Sequence, residues 1–275
     1  MILVMIVLLG LTVGSFLNVC IVRIPKGHSI VSPSSHCPRC QTPIRFYDNI
    51  PLISFLLLRG KCRSCGEPIS WRYPLVELLN GFAYGWTVWE FGISGEAFLL
   101  MAFCSALIVI TFIDIDHQII PDVITLPGML LGLFLAPFFM TSLGDSLPFN
   151  LHRILPHAGG YLTGFLNSLF GLLLGGGPLL AIGWLWEKLR HVEAMGGGDV
   201  KLMGMVGSFL GWKAALLTIM LGALAGSVAG LFLIMFRRHS MEKVIPFGPF
   251  LALGAVLSAF YGSDIIFWYL DLIHV

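Results

Sequence analysis

The sequence predicts an all-α polytopic membrane protein of about eight transmembrane helices with one small loop domain outside the bilayer. Three observations predict it. Of 275 residues, 57% are hydrophobic and only 11% are charged, with a mean hydropathy of +0.89; a soluble domain usually carries about 25% charged residues. Apolar runs recur that approach the roughly 20 residues a helix needs to cross a bilayer. One long polar segment, 23–72, interrupts them and carries four of the six cysteines.

Residues 1–22 are uncharged up to Arg23. With no basic segment ahead of the apolar run, they read as a first span and not as a cleavable signal. Further spans are read at 73–91, 97–117, 119–140, 160–187, 199–211, 213–236 and 246–262, with a break at Gly211-Trp212-Lys213. The tail 264–275 is too short to cross as a helix, and its Trp268 and Tyr269 favour the interface. Three domains result: the first helix 1–22, the loop 23–72 and a helical bundle 73–275. Glycine-rich stretches, Gly171–Gly177 and Leu221–Gly226, read as close-packing surfaces between membrane helices.

Loop charges set the orientation. Arg23, Lys26, Arg39, Arg45, Arg59, Lys61, Arg63 and Arg72 fall between the first two spans, against Asp48 and Glu67. Lys188 and Arg190 follow the fifth span, and Arg237, Arg238 and Lys243 follow the seventh. These loops share a side if eight spans alternate, and the positive-inside rule makes that side cytoplasmic. The stretch 141–158, with Asp145, His152, Arg153 and His157, reads as an ordinary polar loop on the other side. The net charge of +1 says little about partners; lipid is expected, and nucleic acid is not.

The loop carries Cys37-Pro-Arg-Cys40 and Cys62-Arg-Ser-Cys65, with 21 residues between the pairs. That spacing suits a four-thiolate zinc site, and nearby basic residues would offset its negative charge. A reducing cytosol disfavours the alternative of two disulfides. Four thiolates close the coordination sphere of Zn²⁺, so the expected role is structural. His28 and His36 are spare ligands only in a weaker arrangement. Cys20 and Cys104, in apolar runs, read as small buried hydrophobes.

Two carboxylates stand at the ends of apolar runs. Asp114 begins Asp114-Ile-Asp116-His117, and Asp199 closes Gly196-Gly-Gly198-Asp199. A carboxylate at membrane depth is expensive and usually faces protein interior or a water-filled cavity. Two close carboxylates cannot readily both ionise, so they share a proton. Such a pair can take a proton from water and give one to an amide nitrogen. A polar hairpin kept in water explains Asp116 and Asp122 well and Asp114 less well. From spacing alone Asp116 competes with Asp114. Gly196–Gly198 allow a close approach by an extended chain, but a flexible loop ending in an N-cap aspartate fits the same residues.

Taken together, these segments resemble bacterial type IV prepilin peptidases, membrane aspartic proteases of the Gly-x-Gly-Asp class. The likeness runs over nearly the whole chain. It is carried by Gly14-Ser-Phe-Leu-Asn18-Val with Arg23 and Pro25, the paired Cys-x-x-Cys knuckles and Tyr73-Pro-Leu-Val-Glu77. Asp114-x-Asp116-His117 through Pro121-Asp122, Gly196-x-Gly198-Asp199-x-Lys201, and Pro246-Phe-Gly-Pro249 complete it. The resemblance implies cleavage of the basic leader from prepilins and type II secretion pseudopilins at the cytoplasmic face of the inner membrane. It implies Asp114 and Asp199 as the catalytic pair, supported by Asp116, Asp122, Gly196, Gly198 and Lys201. It also implies N-methylation of the new N-terminus with S-adenosylmethionine. Asn18, Arg23 and Glu77 are the residues assigned to the methyl donor, although Glu77 could instead pair with Arg72 or Arg23.

Two readings compete from other classes. In a proton-coupled transporter, glycine-broken helices and intramembrane acids mark an ion path, with polar residues threading the bundle from both sides. Here the acids cluster on one side. A zinc-anchored assembly scaffold would need no glycine-rich approach to Asp199.

Overall fold

The computed structural model describes residues 1–139, 160–190, 196–235 and 245–272. The expected polar loop 141–158 and the basic residues Arg237, Arg238 and Lys243 lie outside the described residues. The described chain is helical, with only two isolated β-bridges, His36 with Pro43 and Lys61 with Pro68. In order, the helices are α1 (Ile2–Arg23), the short α2 (Ile53–Leu57), α3 (Arg72–Phe91), α4 (Gly95–His117), α5 (Asp122–Phe139), α6 (Gly160–Arg190), α7 (Gly197–Met235) and α8 (Gly248–Leu272). They form two compact units, Met1–Ile113 and Asp114–Val275.

Among the described residues six helices are long and apolar enough to cross a membrane, fewer than the eight expected: α1 with the turn after it, α4, α5, α6, α7 and α8. The shortfall has two causes. Helix α3 carries Arg72, Glu77, Asn80 and Glu90 and is less apolar than its neighbours. The segments expected at 199–211 and 213–236 join in α7, whose helical geometry breaks at Gly211 (φ 78°, ψ 174°). Helix α8 also runs on to Leu272, where an interfacial tail had been expected from 264. Large apolar side chains such as Leu130, Phe138, Leu180, Leu224 and Phe232 are exposed, as helices solvated by lipid tails require.

In the first unit, glycines and polar side chains join α1 to α3. A Cβ at Gly14 would stand 2.7 Å from the Glu77 Cα, and one at Gly10 2.9 Å from the Asn80 carbonyl oxygen. The buried Asn80 side chain donates to the Gly10 carbonyl (2.7 Å) and accepts from Ser105 of α4 (2.8 Å). Tyr84, Ala97 and Met101 continue this contact as an apolar cluster with Ile6 and Val13. Small residues let backbones approach, and buried amides then bond across helices.

The second unit is closer still. Gly171 of α6 meets the Gly207 and Gly211 backbone of α7, and Gly175 meets both Met203 and Ala215. Twelve residues of straight helix would separate Met203 from Ala215 by about 18 Å. Their common neighbour means that α7 folds back on itself at Gly211, as a hairpin of two helical arms. A φ of 78° is one that residues with a side chain rarely adopt. The irregular backbone is enclosed by protein: Gly211, Ser208 and Phe209 are all buried. Irregular backbone at membrane depth requires such cover. Helix α8 lies antiparallel to the second arm. Gly254 meets the Thr218 carbonyl, Gly222 meets Leu251, and the Thr218 and Ser258 hydroxyls are 3.1 Å apart.

Candidate active site and candidate metal centre

The last turn of α4 carries Asp114 and Asp116, and the two face differently. Asp114 is only 5% exposed, whereas Asp116 is exposed. Asp114 Oδ2 accepts a 2.9 Å hydrogen bond from the Gly248 amide at the start of α8. After His117 the chain turns through Gln118 at φ 55°, and the Gln118 amide donates to the Asp114 carbonyl. Pro121 then precedes the first turn of α5, where Asp122 is exposed.

Asp199 lies in the first turn of α7 and is half-buried, and its amide donates to the Gly196 carbonyl (3.1 Å). Gly196 and Gly197 are exposed. Gly198 is not free to change: a Cβ there would stand 2.8 Å from the Ile120 Cβ. Lys201, two residues past Asp199, holds both Asp122 oxygens at 2.7 Å. Thus Asp114, Asp199, Gly198, Asp122 and Lys201 share one end of the second unit, with Gly248 added. Asp116 lies in the same turn as Asp114 but on its exposed side.

The Cys37, Cys40, Cys62 and Cys65 sulfurs all lie within 4.8 Å of one another and can hold a metal ion. The two knuckles repeat one backbone pattern. In the first, the Cys37 amide bonds the Thr42 carbonyl and the Gln41 amide the Cys37 carbonyl; in the second, Cys62 bonds Glu67 and Gly66 bonds Cys62. Gln41 and Gly66, each one residue past the second cysteine, both have positive φ. Hydrogen bonds with Thr42, from its side chain and then its backbone, draw the Cys40 thiol down from 9.0 to about 6. Around the cluster, Arg63 grips Asp48 through both carboxylate oxygens (2.6–3.0 Å), and Arg39 reaches Glu67 across the knuckles (3.5 Å). The Arg63 hydrogen bond holds the Asp48 carboxyl below its ordinary range. All six cysteines are free thiols, with Cys20 and Cys104 buried as expected. His36 turns its Nδ1 to the Ser34 carbonyl.

The three residues assigned to the methyl donor are engaged with backbone. Asn18 is buried and donates to the Tyr73 and Gly14 carbonyls. Arg23 donates to the Ser29 and Pro33 carbonyls. Glu77 accepts the Leu52 amide at 2.9 Å, which steadies a non-glycine residue at φ 59°. A cleft of about 330 Å³ opens beside α1, lined by Arg23, Ser34, Ser35, Asn49 and the apolar Phe16 and Val31 among others. Arg23 lines it; Asn18 and Glu77 do not.

Residues 8–91 match the bacterial peptidase A24 N-terminal domain, and residues 101–231 match the type IV leader peptidase family. The chain is 35% identical over 288 residues to a prepilin leader peptidase/N-methyltransferase of Pseudomonas aeruginosa, covering 96% of this chain and 92% of that protein. It is 35% identical to the protein of that name in Aeromonas hydrophila, covering 96% and 92%. With the one in Myxococcus xanthus it is 41% identical, covering 82% of this chain and 62% of that protein. No solved structure matches the chain.

Proposed function

The chain belongs to the type IV leader peptidase family, and from that premise we propose that it cleaves prepilin and pseudopilin leaders with Asp114 and Asp199 and then N-methylates the new N-terminus. The observation that carries the first activity is a buried Asp114 at the same end of the second unit as Asp199, which follows an exposed glycine turn. One carboxylate takes a proton from water as the water oxygen bonds to the scissile carbonyl carbon. The other carboxyl then gives a proton to the amide nitrogen as the carbon–nitrogen bond breaks. Asp114 is favoured over Asp116 because it is buried against the start of α8, whereas Asp116 is exposed; burial disfavours the charged form and so a doubly ionised pair. Lys201 and Asp122 support the pair by tying the start of α7 to the start of α5. The substrate enters as a membrane helix with its basic leader at the cytoplasmic face, and its unwound end extends past Gly196–Gly198. Loop charge supports an inner-membrane protein with both sites cytoplasmic.

The Cys₄ loop, 23–72, is proposed as a structural zinc module, because four thiols in reach of one centre suit tetrahedral Zn²⁺. For the methyl donor we favour the cleft at Arg23. Its guanidinium suits a carboxylate, its hydroxyls suit a ribose, and Phe16 and Val31 suit an adenine face. When bound, S-adenosylmethionine supplies a methyl group to the amine that cleavage has freed. Asn18 and Glu77 act at one remove, by holding α1, α3 and the loop together.

Purified enzyme should convert a prepilin into a leader-free product, with a further methyl mass when S-adenosylmethionine is added, read at the product's N-terminus by mass spectrometry. Asp114→Asn or Asp199→Asn should abolish cleavage while thermal melting is unchanged. Normal processing by either variant would remove it from the catalytic pair. Arg23→Gln should weaken use of the methyl donor and leave cleavage intact.

A further inference from the structure

We propose that the Gly248 amide is a positioning group for Asp114, and that the Pro-Phe-Gly-Pro turn exists to present that one N–H. The inference rests on Asp114 being one of the catalytic pair. A helix start leaves four amides without intrahelical partners. In α8 these belong to Gly248, Pro249, Phe250 and Leu251. Pro249 has no N–H. Phe250 and Leu251 both donate back to the Phe247 carbonyl, at 3.0 and 3.1 Å. One donor remains, and it goes to Asp114 Oδ2 at 2.9 Å.

The choice of residue follows from the space. A Cβ at 248 would stand 2.6 Å from that same oxygen and 3.1 Å from the carboxyl carbon. Only glycine brings the amide close enough to donate without pushing the carboxyl away. The bond engages one oxygen and leaves Oδ1 to exchange a proton with water or with Asp199. The positive end of the α8 dipole faces the same group. Residues 114 and 248 are 134 positions apart in the sequence, so α8 docking and carboxylate orientation are one event.

The test compares Gly248→Ala, Leu253→Ala and Asp114→Asn in purified enzyme with a prepilin substrate. Gly248→Ala should lower kcat about 100-fold, as expected for a reacting group displaced by about 1 Å. KM should stay nearly constant, because no substrate contact is removed. Leu253→Ala trims an exposed side chain of the same helix and leaves the turn intact, so its kcat should stay near the parent value. A Gly248→Ala enzyme of normal kcat, when Asp114→Asn is inactive, overturns the positioning role alone. If Asp114→Asn cleaves normally, the pair itself is wrong and this inference falls with it. Hydrogen exchange of the 246–250 segment decides the matter even if Gly248→Ala does not fold. One protected amide should become exchangeable in Asp114→Ala and stay protected in Asp199→Ala. Unchanged protection in Asp114→Ala overturns the proposal.

Discussion

The cysteine cluster and the carboxylate pair are built in opposite ways. Each pair of cysteines sits in one knuckle of four residues, and the same backbone bonds form twice. The segment around them is short of apolar core, so a metal joining the knuckles would supply much of its stability. The carboxylate site draws Asp114, Asp199 and Gly248 from three distant segments. It is positioned by backbone lying on backbone, with glycines from α6 and α7 at the closest points. A local site tolerates change elsewhere in the chain. A site assembled by helix packing inherits every error in that packing.

The sharpest way to break this contrast is to add bulk far from the carboxylates. Gly207→Val should cost about 3 kcal/mol, since a Cβ there would meet the Gly171 backbone and overpacking a tight core has no cheap relief. Folded protein in detergent, followed by thermal melting, should fall along with leader cleavage. A smaller effect is expected from Lys201→Met, which removes the tie to Asp122. Both partners are partly exposed, so the stability loss should be below about 1 kcal/mol. Cleavage should fall about tenfold through misplacement of the α7 start, read as kcat against KM.

Metal removal probes the other side of the comparison. Protein purified without chelator should hold about one Zn per chain. Chelation or Cys37→Ser should expose 23–72 to limited proteolysis while leader cleavage persists. The smallest effect concerns pH. Asp48 is held below its ordinary range by Arg63, so its contribution is complete above that range and disappears as pH falls through the lowered value. Asp48→Asn should remove that acid limb from the loop's unfolding profile, with no change in leader cleavage near neutral pH.

Legibility follows the same division. The Cys₄ centre was visible because ligand spacing is a local property, and the structure brings its four sulfurs together. The carboxylates were visible as charges beside apolar runs. Spacing could not separate Asp114 from Asp116, because one turn of helix holds both; burial separates them. Gly248 stood inside a noted motif without a role, because its partner is 134 residues away. A glycine followed by proline at a helix start was the available signal, since Pro249 has no N–H to offer and Gly248 has no side chain to hold a partner off. Helix α3 was read as a span like the others, although Asn80 and Glu77 in its apolar face marked it as bonded to its neighbours. The break at Gly211 was expected as a boundary between spans and is found as a reversal within one element.

That reversal fixes a length. The first arm of α7, from Gly197 to the residue before Gly211, rises about 21 Å at 1.5 Å per residue. The hydrocarbon core of a bilayer is roughly 30 Å thick. The Gly197 end and the Trp212–Lys213 turn therefore cannot both reach the boundaries of an undeformed bilayer. With the turn at the far boundary, Asp199 is sunk below the near one; otherwise the bilayer thins around the arm. In the sunken case a leader must be pulled down into a dimple, and water must follow it there.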